Sequence, residues 1–175
     1  MMSSTSPGYA AGSYYSHLGG SSELLCLPQE PEWGHFKPGF QGESYVYGSE
    51  YQTGHNYGAD DVFANDNIEG DNLHDHNVPC AVCLTPGRPL VKKLPAKVNC
   101  PEGWQKEYTG YLMAGHHSHK TQVQAVCLDE APEAAESGLA DENGALLYNM
   151  EAHCGSLPCP NYVNGRELAC VVCSL

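Results

Sequence analysis

Two short apolar segments limit what this chain can fold into. They are Val78-Pro79-Cys80-Ala81-Val82-Cys83-Leu84 and, 90 positions on, Leu168-Ala169-Cys170-Val171-Val172-Cys173-Ser174-Leu175. Valine among apolar neighbours favours a buried strand over a helix. In a strand, residues three apart point to opposite faces, and their α-carbons lie about 10 Å apart, too far for a mutual disulfide. Each segment therefore offers two sulfurs in two directions, and each sulfur needs a partner elsewhere in the chain.

Composition bears on whether those partners are covalent. Leu, Ile, Val and Phe make up only 31 of 175 residues, and the formal net charge is −13. On their own those values describe a chain too polar to fold. Nine cysteines and eleven tyrosines point instead to a thin core reinforced by disulfides, and so to an oxidising compartment. The acidic balance argues against nucleic-acid and anionic-membrane partners, and no apolar run approaches membrane-spanning length. Residues 1–22 show neither the basic start nor the apolar centre of a secretory signal, and the sequence has no Asn-x-Ser/Thr acceptor.

Apart from a loose end over residues 1–7, the chain reads as one series met twice. Gly8-Tyr9-Ala10-Ala11-Gly12, Ser16-His17, Leu25-Cys26-Leu27 and Pro31 recur as Gly110-Tyr111-Leu112-Met113-Ala114-Gly115, Ser118-His119, Val126-Cys127-Leu128 and Pro132. Cys26 and Cys127, Pro31 and Pro132, Tyr47 and Tyr148, and Glu50 and Glu151 all stand 101 apart. The expectation is an all-β fold with little helix, built from two tandem homologous units over 8–90 and 91–175. Residues 43–51 read as a strand with Tyr45, Tyr47 and Tyr51 on one face, and residues 52–77 as an acidic connection with Asp60, Asp61, Asp66, Glu69, Asp71 and Asp75. Only 129–136 has helix-favouring composition, limited by Pro132 to about two turns.

The repeat narrows the sulfur pairing. Cys154 and Cys159 flank a Gly/Pro turn and most simply pair with each other, leaving Cys100 and Cys127 for Cys170 and Cys173. In the first unit only Cys26 is available for Cys80 or Cys83, so one thiol is left over.

Cys80-Ala-Val-Cys83, Cys100-Pro-Glu-Gly-Trp104, Tyr108-x-Gly-Tyr111 and Cys127-Leu128 resemble the junction of the half-repeats in the C-terminal non-collagenous domain of type IV collagen. Tyr14-Tyr-Ser-His17, Cys26-Leu-Pro28, Asp75-His-Asn-Val-Pro-Cys-Ala-Val-Cys83, Cys154-Gly-Ser-Leu-Pro-Cys-Pro160 and Asn164-Gly-Arg-Glu-Leu168 are more similar still to the globular domain of short-chain, spongin-type collagens. The resemblance runs from about Gly8 to the C-terminus. It implies the pairs Cys26–Cys80, Cys100–Cys173, Cys127–Cys170 and Cys154–Cys159, with Cys83 as the free thiol. No Gly-x-y repeat is present, so this chain does not itself form a collagen triple helix. The family's leading Cys-Pro strand and export signal are also missing, as in an N-terminally shortened member.

Other chemistry is weaker. Two Cys-x-x-Cys pairs can make a four-thiolate zinc site, but these lie in strands 90 residues apart rather than in knuckle turns. Thiol–disulfide exchange calls for the motif at the start of a helix. His74 and His76, on one face of an extended segment, and the cluster His116, His117 and His119 are candidates for a weak zinc or copper site; solvated loop histidines are the plainer reading. Asn65 to Asp71 has the look of a calcium loop, but its twelfth position is His76 where a bidentate Glu is required. Ser16-His17 and Ser118-His119 are not catalytic pairs, because neighbouring strand side chains diverge. Trp33 and Trp104 read as core residues. Tyr14, Tyr15, Tyr45, Tyr47 and Tyr51 can stack on sugars, though packing between sheets is the simpler use. The sequence thus points to a secreted, non-enzymatic matrix module that associates with itself or with other matrix proteins, without a cofactor. A lectin-like or metal-dependent binding module, with glycans as partners, is the alternative.

Overall fold

Both Cys-x-x-Cys segments are strands, as their valines dictate: β4 (Pro79–Leu84) and β9 (Ala169–Ser174). The computed structural model describes residues 3–35, 38–40, 44–53, 63, 73–135 and 140–175, with backbone only for 3–5. The other strands are β1 (Ser3–Gly12), β2 (Leu25–Pro28), β3 (Tyr47–Tyr51), β5 (Val91–Pro95), β6 (Gln105–Ala114), β7 (Val126–Asp129) and β8 (Ala145–Asn149). The described residues contain no helix. The strands form one mixed sheet in the order β2-β1-β3-β8-β6-β9-β5, with β4 also on β1 and β7 on β6.

Strand pairing recurs between the halves. β4 runs antiparallel to β1 with Cys80 opposite Gly8; β9 runs antiparallel to β6 with Cys170 opposite Gly110. Both ladders slip at the same place, between Ser4 and Ser6 and between Lys106 and Tyr108. Hydrogen bonds recur too. Ala10 N–H donates to Val78 O and Leu112 N–H to Leu168 O; Tyr51 N–H donates to His76 O and Ala152 N–H to Arg166 O. Asp75 N–H donates to Tyr51 O and Gly165 N–H to Ala152 O, and both donors have left-handed backbone, at φ 60° and 72°. Aspartate is one of the few residues that tolerates the conformation glycine adopts freely.

The halves share one sheet and one core. β3 pairs with β8 in parallel, Ser49 opposite Ala145 through Tyr51 opposite Leu147. Ala10, Tyr51, Leu73 and Val78 from one half pack with Met113 and Leu147 from the other. Tyr51 is fully buried, and its hydroxyl donates to Glu133 O at 2.9 Å.

Four expectations are corrected. The first strand begins at Ser3, inside the presumed loose end 1–7, because Ser3 to Pro7 find backbone partners on Leu84 to Ala81. Within 129–135 the chain is not helical: Ala135 N–H is used by Asn77 O, and Glu133 O by Tyr51. Trp33 is 78% exposed rather than core, standing in an irregular stretch between Pro31 and Gly34. His74 and His76 do not lie along an extended face, since the left-handed Asp75 between them makes a turn. Glu43, Asp60, Asp61, Asp66, Glu69, Asp71 and the 65–71 loop fall outside the described residues.

Candidate functional site

The cysteines set the geometry of the most distinctive surface. Four disulfides join Cys26 to Cys80, Cys100 to Cys173, Cys127 to Cys170 and Cys154 to Cys159, with Cα–Cα distances of 5.7, 5.9, 5.9 and 6.0 Å. Such links are those of a protein made in an oxidising environment. β2 and β4 flank β1 on opposite edges, and in a flat sheet strands so placed would stand about 9.6 Å apart. The shorter span between Cys26 and Cys80 means that the two flanking strands roll together across the face of β1. They meet over Gly8, where an added Cβ would lie 2.2 Å from Leu27 O and 3.2 Å from Cys26 Sγ.

Cys83 is the cysteine without a disulfide, and it is exposed. Its counterpart by strand register, Cys173, is fully buried. The difference lies in what covers each strand. β9 is flanked by β6 on one side and β5 on the other, and Cys100 closes over its end. β4 pairs with β1 alone among the described strands. Val82 is 55% exposed where Val172 is 8%, and Leu84 is 56% exposed. Beside this edge, burial, then Asp129 and Cys83, push the phenol of Tyr108 up to about 12.

A second feature is a ribbon of rings across both halves. Tyr14 packs on Tyr47 at 5.1 Å, Tyr15 and His17; Tyr15 contacts His119 at 4.8 Å; His119 and His116 both pack on Tyr148. Thr121, buried beneath, ties the halves by donating from its hydroxyl to Tyr14 O at 2.9 Å and from its N–H to Tyr15 O at 3.2 Å. His116 and His117 stack at 4.3 Å, and His116 Nδ1 lies 2.8 Å from Ser118 Oγ. Burial and then the two neighbouring imidazoles hold His119 below the ordinary histidine range. His74 Nε2 lies 3.5 Å from Asp75 Oδ2. Among the described residues, the histidines form no group of three ligand atoms within 4.8 Å of one another. His116 packs against His117, His119 and Tyr148, and His119 also against Tyr148, as an aromatic surface.

Sequence reasoning missed two clusters of charge. Glu50, Asp75 and Asp141 bring carboxylate oxygens within 4.8 Å of each other. Buried Glu50 accepts N–H bonds from Glu142 at 3.0 Å and Asn143 at 3.1 Å. Burial raises its pKa; those two N–H groups work against the rise, and Asp75 and Asp141 add to it. Three distant segments supply the trio, so no local spacing announces it. In the second cluster, buried Glu107 in the β6 bulge accepts from Ser174 Oγ and from Arg88 Nη2 at 3.3 Å, while Arg88 Nε donates to Ser174 Oγ at 2.7 Å. The Ser174 hydroxyl, and then Arg88, hold Glu107 below the usual carboxylate range against the opposing effect of burial.

No protein-family model matches the chain, and no curated protein or solved structure does.

Proposed function

We propose that this chain is a non-enzymatic extracellular module of collagen-related matrix type that works by associating with copies of itself or with other matrix proteins. The observation that carries the reading is an uncharged strand edge, Ala81 to Leu84, exposed on a sheet braced by four disulfides. A thin core stabilised covalently suits a secreted structural part, and exposed apolar edges are what natural sheets cover or pair. Light scattering across a range of concentrations in non-reducing buffer tests it. A defined oligomer is expected, and a monomer throughout would overturn self-association and leave only other matrix proteins as partners.

The ring ribbon favours a second reading, a glycan-binding module. Half-exposed Tyr14, Tyr15, Tyr47 and His119 offer successive ring faces, which suit the apolar faces of sugars. A glycan array would separate the two readings: selective binding lost in Tyr15→Ala supports the second, and no selective signal leaves the first.

A further inference from the structure

We propose that β4 is a docking edge for a second copy of this chain, with two β4 strands pairing antiparallel about a two-fold axis at Cys83 and the two Cys83 thiols joining across it. The inference rests on the self-association reading above and names its surface.

The molecule itself shows what such an edge accepts. On the matching side of β9, β5 lies antiparallel, with Val91 opposite Ser174 through Pro95 opposite Cys170, and a disulfide from Cys100 closes over Cys173. β4 presents the same kind of strand, paired on that side by none of the described strands, with the corresponding thiol exposed. Charge selects a second copy as occupant. From Asn77 to Gly87 the chain carries no Asp, Glu, Lys, Arg or His, although the whole carries −13. Two such acidic molecules repel over most approaches, and this strip is a place where they meet without facing like charges.

Symmetry supplies the register. A two-fold axis through an antiparallel pair sets identical residues opposite one another on the same face. Directly opposed residues there lie about 4.5–5.5 Å apart at Cα, within disulfide range and close to the 5.7–6.0 Å of the four internal links. The contact is small. Stable interfaces bury at least about 1,200 Å², more than a six-residue strand edge provides, so the covalent link is what makes the pair persist.

The step balances with a small-molecule disulfide as oxidant. One Cys83 thiolate attacks that disulfide, forming a mixed disulfide and releasing one small thiol. The second Cys83 thiolate attacks the first Cys83 sulfur and releases the other small thiol. Two protein thiols are oxidised, one small disulfide is reduced, and two protons end on the released thiols.

The test uses the full chain under a glutathione redox buffer. Size exclusion with light scattering is expected to give twice the monomer mass, falling to the monomer after mild reduction. A non-reducing digest is expected to yield a Cys83–Cys83 cross-linked peptide with the four internal links intact. Cys83→Ser should lose the covalent dimer, and V82E/L84E, which keeps the thiol but sets like charges across the axis, should cut its rate of formation at least tenfold. A monomer with Cys83 free or capped by glutathione would overturn both this inference and the self-association reading. An oligomer unchanged in Cys83→Ser and V82E/L84E would overturn this inference alone and place self-association on another surface.

Discussion

Gly8 and Gly110 occupy one position in the two halves: each lies opposite the first cysteine of a Cys-x-x-Cys strand, Cys80 or Cys170. At Gly110 an added Cβ would fall 1.6 Å from Leu128 O, and at Gly8 2.2 Å from Leu27 O. In both cases the obstacle is backbone, which cannot step aside as a side-chain tip can. Gly110→Ala is therefore expected to destabilise the fold by about 3 kcal/mol or more, read from denaturant unfolding. Gly19→Ala, where a Cβ meets nothing within 4 Å, should change stability by less than about 0.5 kcal/mol.

Loop length ranks the disulfides. Cys127–Cys170 closes a separation of 43 and Cys154–Cys159 one of 5. In the chain-entropy model the first contributes about 4 kcal/mol and the second about 2 kcal/mol. Replacing each pair with serines should reproduce that order in unfolding midpoints; equal losses would contradict it.

The Arg88–Glu107–Ser174 cluster gives the fold an acid limb. Glu107 has a lowered folded pKa, so its contribution is present above the unfolded carboxylate value and is lost as pH falls through the folded one. Arg88→Ala leaves the carboxylate with the Ser174 hydroxyl alone and is expected to cost about 1–3 kcal/mol at neutral pH, with a smaller difference in strong acid. Thermal midpoints across pH would check both.

Glu50 runs the other way. Its raised folded pKa means that the folded state binds its proton more readily, so this group costs stability as pH rises from its unfolded to its folded value. Asp75→Asn removes one repelling charge, keeps an oxygen for Gln52 Nε2 and suits the left-handed backbone. It is expected to stabilise by up to about 1 kcal/mol at neutral pH, with the gain fading in acid as Glu50 protonates. No gain at pH 7 would argue against that repulsion.

The parts that sequence pattern reached are those written locally. Valine-rich Cys-x-x-Cys segments are strands because β-branching and spacing decide it within seven residues. The β3–β8 pairing was out of reach, since a parallel contact between distant segments leaves no turn signal. Asp75 hid its left-handed turn because aspartate, unlike Gly165, does not announce that conformation. Trp33 misled because a large apolar ring reads as core wherever it stands, and here no strand carries it inward. Glu50, Asp75 and Asp141 converge only through the β3–β8 seam and the turn before β8, so their meeting is a property of topology alone.

The placement of the covalent links has a mechanical consequence. Cys26–Cys80 and Cys100–Cys173 each cinch one half of the chain, and no disulfide bridges the β3–β8 seam. Under a pull from both ends, the stretch from Cys80 to Cys100 can straighten to at most about 70 Å, at roughly 3.5 Å per residue, while the chain inside the two loops carries no load. β1 precedes Cys26 and so lies outside both loops; load draws on it and on the Cys80–Cys100 stretch, while the chain inside each loop is shielded behind its covalent link.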